Sequence, residues 1–286
     1  MIAIVTATTD PERARDCIES WEQHAKGPVK LIVVINGRSW TPDDAERTGL
    51  QATWVTHPTY LGSVPAFRLG MLAALDDDQK EPPEIIACLH DDFRIDEPNW
   101  DLKVERHFSR NSACGLLGFG GAVGLGSDTI YREPYDPMQL ARIGFRSNLD
   151  DAENHGLRSL LAEPVACLDG FSQIGRRLFW DGYQRRGALG GMIRYKEADR
   201  PWNVLADLGF VHHFYDGALG CLATRYNWET WYLPLRGHHF GGRTAVGDAG
   251  YATWAQSQTE GGDQGFWTAA HAIGYRAFKN ELPIRL

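Results

Sequence analysis

The sequence predicts an α/β fold, a mostly parallel central sheet flanked by helices. The apolar runs Ile2–Ala7 and Val29–Ile35 are continuous, as in strands covered on both faces. Between them, Pro11–His24 carries Ala14, Cys17, Ile18 and Trp21 at helical spacing. Thr8-Thr9-Asp10-Pro11 opens that helix and Gly27-Pro28 closes it, a capping residue before proline being a strong start signal. The first 37 residues therefore read as β-α-β.

The pattern continues. Asn36-Gly37 is a turn, Ala52–Thr56 a third strand and Ser63–Leu75 a helix with Ala66, Leu69, Leu72, Ala73 and Leu75 apolar. Asp76–Pro83 is an acidic surface loop. Glu84–Leu89 is a strand that runs into His90-Asp91-Asp92. Trp100–Phe108 reads as a helix and Ala113–Leu117 as a strand. Beyond Gly118 the alternation weakens: Phe119–Gly126 is glycine-rich and Ser127–Asn154 polar and irregular. Pro164–Leu168 reads as a strand ending at Asp169-Gly170-Phe171, and Arg176–Arg186 as a helix. Val204–His213 reads as a strand, Ala218–Tyr226 as a helix and Trp231–Pro234 as a short strand before His238-His239. The tail turns helical near Phe266–Ile273. With no repeat or clear linker, residues 1–286 read as one domain, with a nucleotide-binding half over 1–118, a second half over 119–242 and an extension or lid over 243–286.

Composition narrows the function. The chain has 286 residues, 43% hydrophobic and 23% charged, with a formal net charge of −8. Such a balance disfavours polyanions held by general attraction. No apolar run approaches the ~18 residues of a membrane span, and the N-terminus reads as a buried strand and not as a leader. Cys17, Cys88, Cys114, Cys167 and Cys221 lie far apart and lack zinc spacing; they read as free thiols in a reducing cytoplasm.

Several groups carry chemistry. Asp91 and Asp92 follow a buried strand, where ligands of open α/β sheets gather. Two adjacent carboxylates repel unless a cation or donors compensate, and a hard divalent ion shared with phosphates is one solution; a turn cap is another. His212-His213 and His238-His239 end two predicted strands. Alternation lets at most one of each pair face a given site, as a ligand or as a core histidine. Asp216 opens a helix, where a carboxylate serves as cap or general base. Asp169-Gly170 is a close-approach point for a ligand or a tight turn. Thr6, Thr8 and Asn36 end the first two strands on one side and can bind a nucleobase or ribose. Neither GxGxxG nor a P-loop is present.

In order, IAIVTATTDPERARDCIESW, VKLIVVINGRS, HPTYLGSVPAFRLGM, IIACLHDDF, VACLDGFSQIGRRLF and HHFYDGALGCLATRYNWETWYLPLRGHHFGG resemble the family 2 glycosyltransferases, which have the GT-A fold. The resemblance spans roughly residues 1–242 and rests on the order and spacing of the segments. It implies Asp92 as the chief metal ligand, His238 or His239 completing the site, and Asp91 at the ribose or metal. It further implies Gly62 beside the nucleotide, Asp169 and Gly170 at the acceptor and Asp216 as catalytic base. The implied cofactor is Mn2+ or Mg2+. The implied reaction moves a sugar, with inversion, from a nucleotide-diphosphate sugar to a hydroxyl of a glycan, protein, small molecule or modified nucleic-acid base. Three positions depart from the pattern. Tyr60 stands for the usual asparagine, His90 for the first acid of DxD, and Tyr215 for the glutamate that often precedes the base. A metal-dependent phosphohydrolase and an inactive nucleotide-sugar-binding module are the alternatives.

Overall fold

The computed structural model describes residues 1–76, 81–126, 142–150, 157–186, 191–194, 196–241 and 249–286. The front half alternates as expected: β1 (Ile2–Thr8), α1 (Pro11–Gln23), β2 (Val29–Asn36), α2 (Pro42–Thr48), β3 (Ala52–His57), α3 (Ser63–Ala74) and β4 (Ile85–Leu89). Then come β5 (Phe93–Ile95), α4 (Trp100–Arg110), β6 (Cys114–Gly118) and β7 (Gly120–Leu125). Eight described strands form one sheet, ordered Glu163–Pro164, Glu229–Tyr232, β6, Ser172–Arg176, β4, β1, β2, β3. β3, β2, β1 and β4 are mutually parallel. Ser172–Arg176 runs antiparallel between β4 and β6.

Alternation along β1 explains the continuous apolar run. Ile2 and Ile4 pack on one face with Trp21 of α1 and Trp100 of α4. Ala3 and Val5 pack on the other with Phe67 and Met71 of α3. Both faces are thus core. The capping signals are used: the Asp10 side chain accepts from Arg13 N at the start of α1, and Thr41 and Asp44 form a reciprocal capping box on α2. Asp101 of α4 accepts from the backbone of Lys26 and Gly27 at 2.9 and 2.8 Å, fixing the α1–β2 turn.

Gly70 lets α3 lie close on the sheet. A Cβ there would stand 2.3 Å from Val5 Cγ1 and 2.9 Å from Val34 Cγ2. Gly70→Ala is expected to overpack this contact and cost about 1–3 kcal/mol, despite alanine's better helix propensity. An unfolding midpoint in denaturant at or above the wild-type value would contradict this packing.

Three expected elements differ. Val204–His213 is not a strand: Pro201–Asp207 is a helix, started by a proline at its first position and burying Trp202 and Leu205 three residues apart. The long helix over Arg176–Arg186 is a single turn, Arg177–Trp180, followed by the strand Tyr183–Arg186; Gly182, at φ 78°, ends it. The glycine-rich Phe119–Gly126 contains β7, paired with Cys167–Leu168 and with Arg142–Ser147. The irregular stretch 127–154 falls largely outside the described residues. All five cysteines are buried and free of disulfides. Among the described residues, no helix is long and apolar enough to cross a membrane.

Candidate active site

The carboxyl ends of β1, β2 and β4 open into a cavity of about 190 Å3, lined by Thr8, Asn36, Tyr60, Asp91, Asp92 and His239 among others. Here the parallel strands release their chain ends, so side chains just beyond each strand converge. Asn36 closes the β2 corner: its amide oxygen accepts from Leu61 N at 2.8 Å and its nitrogen donates to Gly62 O at 3.4 Å. Gly62, at φ 87°, precedes α3, and a Cβ there would meet Val211 at 2.7 Å. Gly62 itself does not line the cavity, whereas Tyr60 and Ser63 on either side of the Leu61-Gly62 pair do. Thr6 shares Thr8's face of β1 but sits deeper. It is wholly buried and is not part of the cavity lining.

His239 reaches Asp92 because Gly237–His239 pairs antiparallel with β5, setting His239 opposite Phe93. His239 Nε2 lies 3.2 Å from Asp92 Oδ1, and His90 Nδ1 lies 3.9 Å from the same oxygen. Strand alternation turns His238 away, with its ring against Phe240 at 4.3 Å. The structure therefore brings His239, and not His238, to the acidic pair. Asp92 Oδ1 is buried and has no well-directed hydrogen bond among the described residues. Donor atoms of His90, Asp92 and His239 all lie within 4.8 Å of one another. A buried carboxylate oxygen facing two imidazoles is a donor set that fits a divalent cation.

The neighbouring carboxyls are driven apart electrostatically. Burial works to raise the Asp92 pKa, but the nearby imidazoles of His239 and His90 outweigh it and hold it at about 2. Burial pushes Asp91 up to about 6, against a hydrogen bond from Thr8 and with the Asp92 charge adding to the rise. Burial likewise lowers His90, partly offset by Asp92. A folded-state pKa above the unfolded value means that the Asp91 charge destabilises the fold above about pH 6, a penalty absent below the ordinary carboxylate value near 4. Asp91→Asn is accordingly expected to melt higher than wild type at pH 7 and equal to it below pH 4. Equal melting at pH 7 would contradict the assignment.

A second cavity of about 420 Å3 adjoins the first and shares Ser63, His90 and His212 with it. Asp169, Gly170, Tyr215 and Asp216 line it, with Arg142, Trp267 and His271. Asp216 does not cap the Tyr215–Arg225 helix. Phe214 holds the cap position, and Asp216 lies in the first turn. Its Oδ2 accepts from Arg142 Nη1 at 2.6 Å and its Oδ1 from Gly217 N at 2.7 Å. Arg142 also lies 3.8 Å from Asp169 Oδ1. His212 and His213 sit in a turn, not at a strand end. His212 Nδ1 is 2.8 Å from Ser63 Oγ, and His213 Nε2 is 2.6 Å from Asp263 of the Gly262–Phe278 helix. The Tyr251 hydroxyl also bonds Asp263, and Tyr251 and Trp254 pack on Tyr60. The C-terminal helices thus border the first cavity. The glycine-rich segment 241–250, expected to order over a donor, lies mostly outside the described residues.

Sequence reasoning missed Arg142, Ser63 and the contact between His90 and Tyr215. Arg142 sits in a polar stretch with no periodic signal. Ser63 was visible only as a residue opening a helix.

No protein-family profile matches the chain, and no curated protein sequence matches it. Solved structures do. GalNAc-T7 with UDP, GalNAc and Mn2+ aligns at TM-score 0.51 and 9% identity, over 99% of this chain and 56% of that one. Glucosyl-3-phosphoglycerate synthase from Mycobacterium tuberculosis, in complex with phosphoglyceric acid, aligns at TM-score 0.50 and 14% identity, over 98% and 80%. Residues 1–349 of S. aureus TarS align at TM-score 0.38 and 12% identity, over 82% of this chain and 60% of that one. The chain thus spans little more than half the length of two of these structures. The sheet with its flanking helices is the GT-A fold of glycosyltransferases.

Proposed function

We propose that the protein is an inverting, metal-dependent glycosyltransferase that moves a sugar from a nucleotide-diphosphate donor to a hydroxyl acceptor. One observation carries the reading. A cavity holding Thr8, Asn36, Asp91, Asp92 and His239 shares a wall with a cavity holding Asp169 and Asp216. Donor and acceptor chemistries need such adjoining sites.

Thr8 and Asn36 hold the nucleoside at the β1–β2 corner, and Asp91 accepts from ribose hydroxyls. Asp92 and His239 hold the cation. A divalent ion there supplies charge to the departing diphosphate. Asp216 takes the proton of the attacking hydroxyl, and Asp169 orients the acceptor. Arg142, bonded to Asp216 and close to Asp169, fixes the geometry of both carboxylates. In the proposed step the acceptor hydroxyl, losing its proton to Asp216, forms the new glycosidic bond as the bond to the diphosphate breaks on the opposite side, a single displacement that inverts the anomeric centre. In GalNAc-T7 the same fold was captured with UDP and Mn2+, which supports a nucleotide donor here.

The phosphohydrolase alternative needs two ions roughly 3.5–4 Å apart. The second described group of possible ligands, His212, His213 and Asp263, shares no residue with the first, so no side chain bridges them. A crystal structure with UDP or GDP and Mn2+ tests the placement. The nucleoside is expected between Thr8 and Asn36, with its phosphates at Asp92. A nucleotide bound anywhere else would overturn it.

A further inference from the structure

His90 and Tyr215, the chain's two departures at acidic positions, are 125 residues apart in sequence and touch. His90 Nε2 lies 2.6 Å from Tyr215 Oη. We infer that Tyr215 is a positioning residue that holds His90 as its Nε2–H tautomer, so that Nδ1 becomes the third donor to the cation beside Asp92 and His239, and that this donor set selects a transition-metal ion over Mg2+. The inference rests on the proposed cation site and deepens it.

One proton arrangement makes both contacts of the Tyr215 hydroxyl hydrogen bonds at once. Tyr215 Oη also lies 3.1 Å from Gly170 O. A carbonyl only accepts, so the single phenol proton goes to Gly170. The phenol oxygen then accepts from His90, which places the imidazole proton on Nε2. Nδ1 is left with its lone pair, on the side facing Asp92 Oδ1 at 3.9 Å. Gly170 makes this possible: a Cβ there would sit 2.6 Å from Tyr215 Oη. The His90 ring is held between neighbours, lying parallel to Phe67 at 6.2 Å and 5.9 Å from the His239 ring.

A metal-bound histidine whose other nitrogen donates to an oxygen is a recurrent arrangement, and the outer partner sets ring orientation and basicity. Here the outer partner is the residue immediately before Asp216, so the residue that orients His90 and the proposed base share one helix turn. Two imidazole nitrogens and one carboxylate suit Mn2+, Co2+, Fe2+ or Zn2+ better than Mg2+, which favours oxygen donors.

The test uses the full chain and the metal ion alone. Long-range 1H–15N correlation on the metal-free protein reads the His90 tautomer directly. Protonated Nε2 is expected, and protonated Nδ1 overturns the inference. Mn2+ binding is then followed by the EPR signal of the free ion. Tyr215→Phe is expected to weaken it about 10–100-fold, while His90→Asp is expected to let Mg2+ compete far better than in wild type. Unchanged Mn2+ affinity in Tyr215→Phe, or Mg2+ displacing Mn2+ from wild type at equal concentration, overturns the inference. Asp92→Asn separates this from the underlying reading. If it abolishes Mn2+ binding while Tyr215→Phe does not weaken it, only the positioning role fails. If Asp92→Asn binds Mn2+ like wild type, the cation site itself fails.

Discussion

Asp216→Asn is expected to bind nucleotide sugar with near wild-type affinity and to lose about 10²–10⁴-fold in transfer rate. Asparagine keeps the size and the bond from Gly217 N but cannot accept the acceptor's proton. Donor binding involves no proton transfer, so the loss should fall on turnover and leave donor affinity unchanged. Arg142 complicates the stability side: it bonds Asp216 Oδ2 at 2.6 Å, and removing that charge weakens a largely buried ion pair. Asp169, 3.8 Å from the same guanidinium, remains as its counter-charge. Melting temperature therefore belongs beside turnover and donor affinity. Full turnover in this variant would remove Asp216 from the mechanism and leave the inverting assignment without a base.

Asp92→Asn is expected to abolish metal-dependent nucleotide binding. The variant removes the buried carboxylate oxygen that faces both His90 and His239. The imidazoles outweigh the burial of that charge, so it stabilises the fold at neutral pH and the variant is also expected to melt lower than wild type. Titration of nucleotide with and without Mn2+ checks this. Retained metal-dependent affinity would show that the aspartate serves the loop and not the ligand.

Much of this site was legible in the sequence because it lies where strands end. Thr8, Asn36, Asp91 and Asp92 each follow or finish an apolar run, and the parallel sheet puts such residues on one edge. Alternation also required that one histidine of the 238–239 pair face away. Which one depends on the register of Gly237–His239 against β5, a pairing across more than 140 residues that no local pattern records. The same holds for His90 and Tyr215. Each was visible as a departure from an acidic pattern, but their contact joins the residue after β4 to the first residue of the Tyr215–Arg225 helix, 125 positions on. Thr6 was placed at the site as a residue near the end of the first strand; in the structure it is wholly buried and does not line the cavity. Val204–His213 misled because its apolar residues read as a run, whereas Pro201 and the Trp202–Leu205 spacing mark a helix.

The most direct test of the central claim is thermal denaturation of the full chain with UDP-, GDP- and dTDP-sugars, each with and without Mn2+. A donor at 100 times its Kd stabilises the native state by roughly 2.7 kcal/mol. At least one nucleotide sugar is predicted to raise the melting temperature with Mn2+ present, to do so weakly or not at all without it, and to have no such effect on Asp92→Asn. Failure of every nucleotide sugar to stabilise the protein with Mn2+, or stabilisation that ignores both the metal and Asp92, would contradict the account.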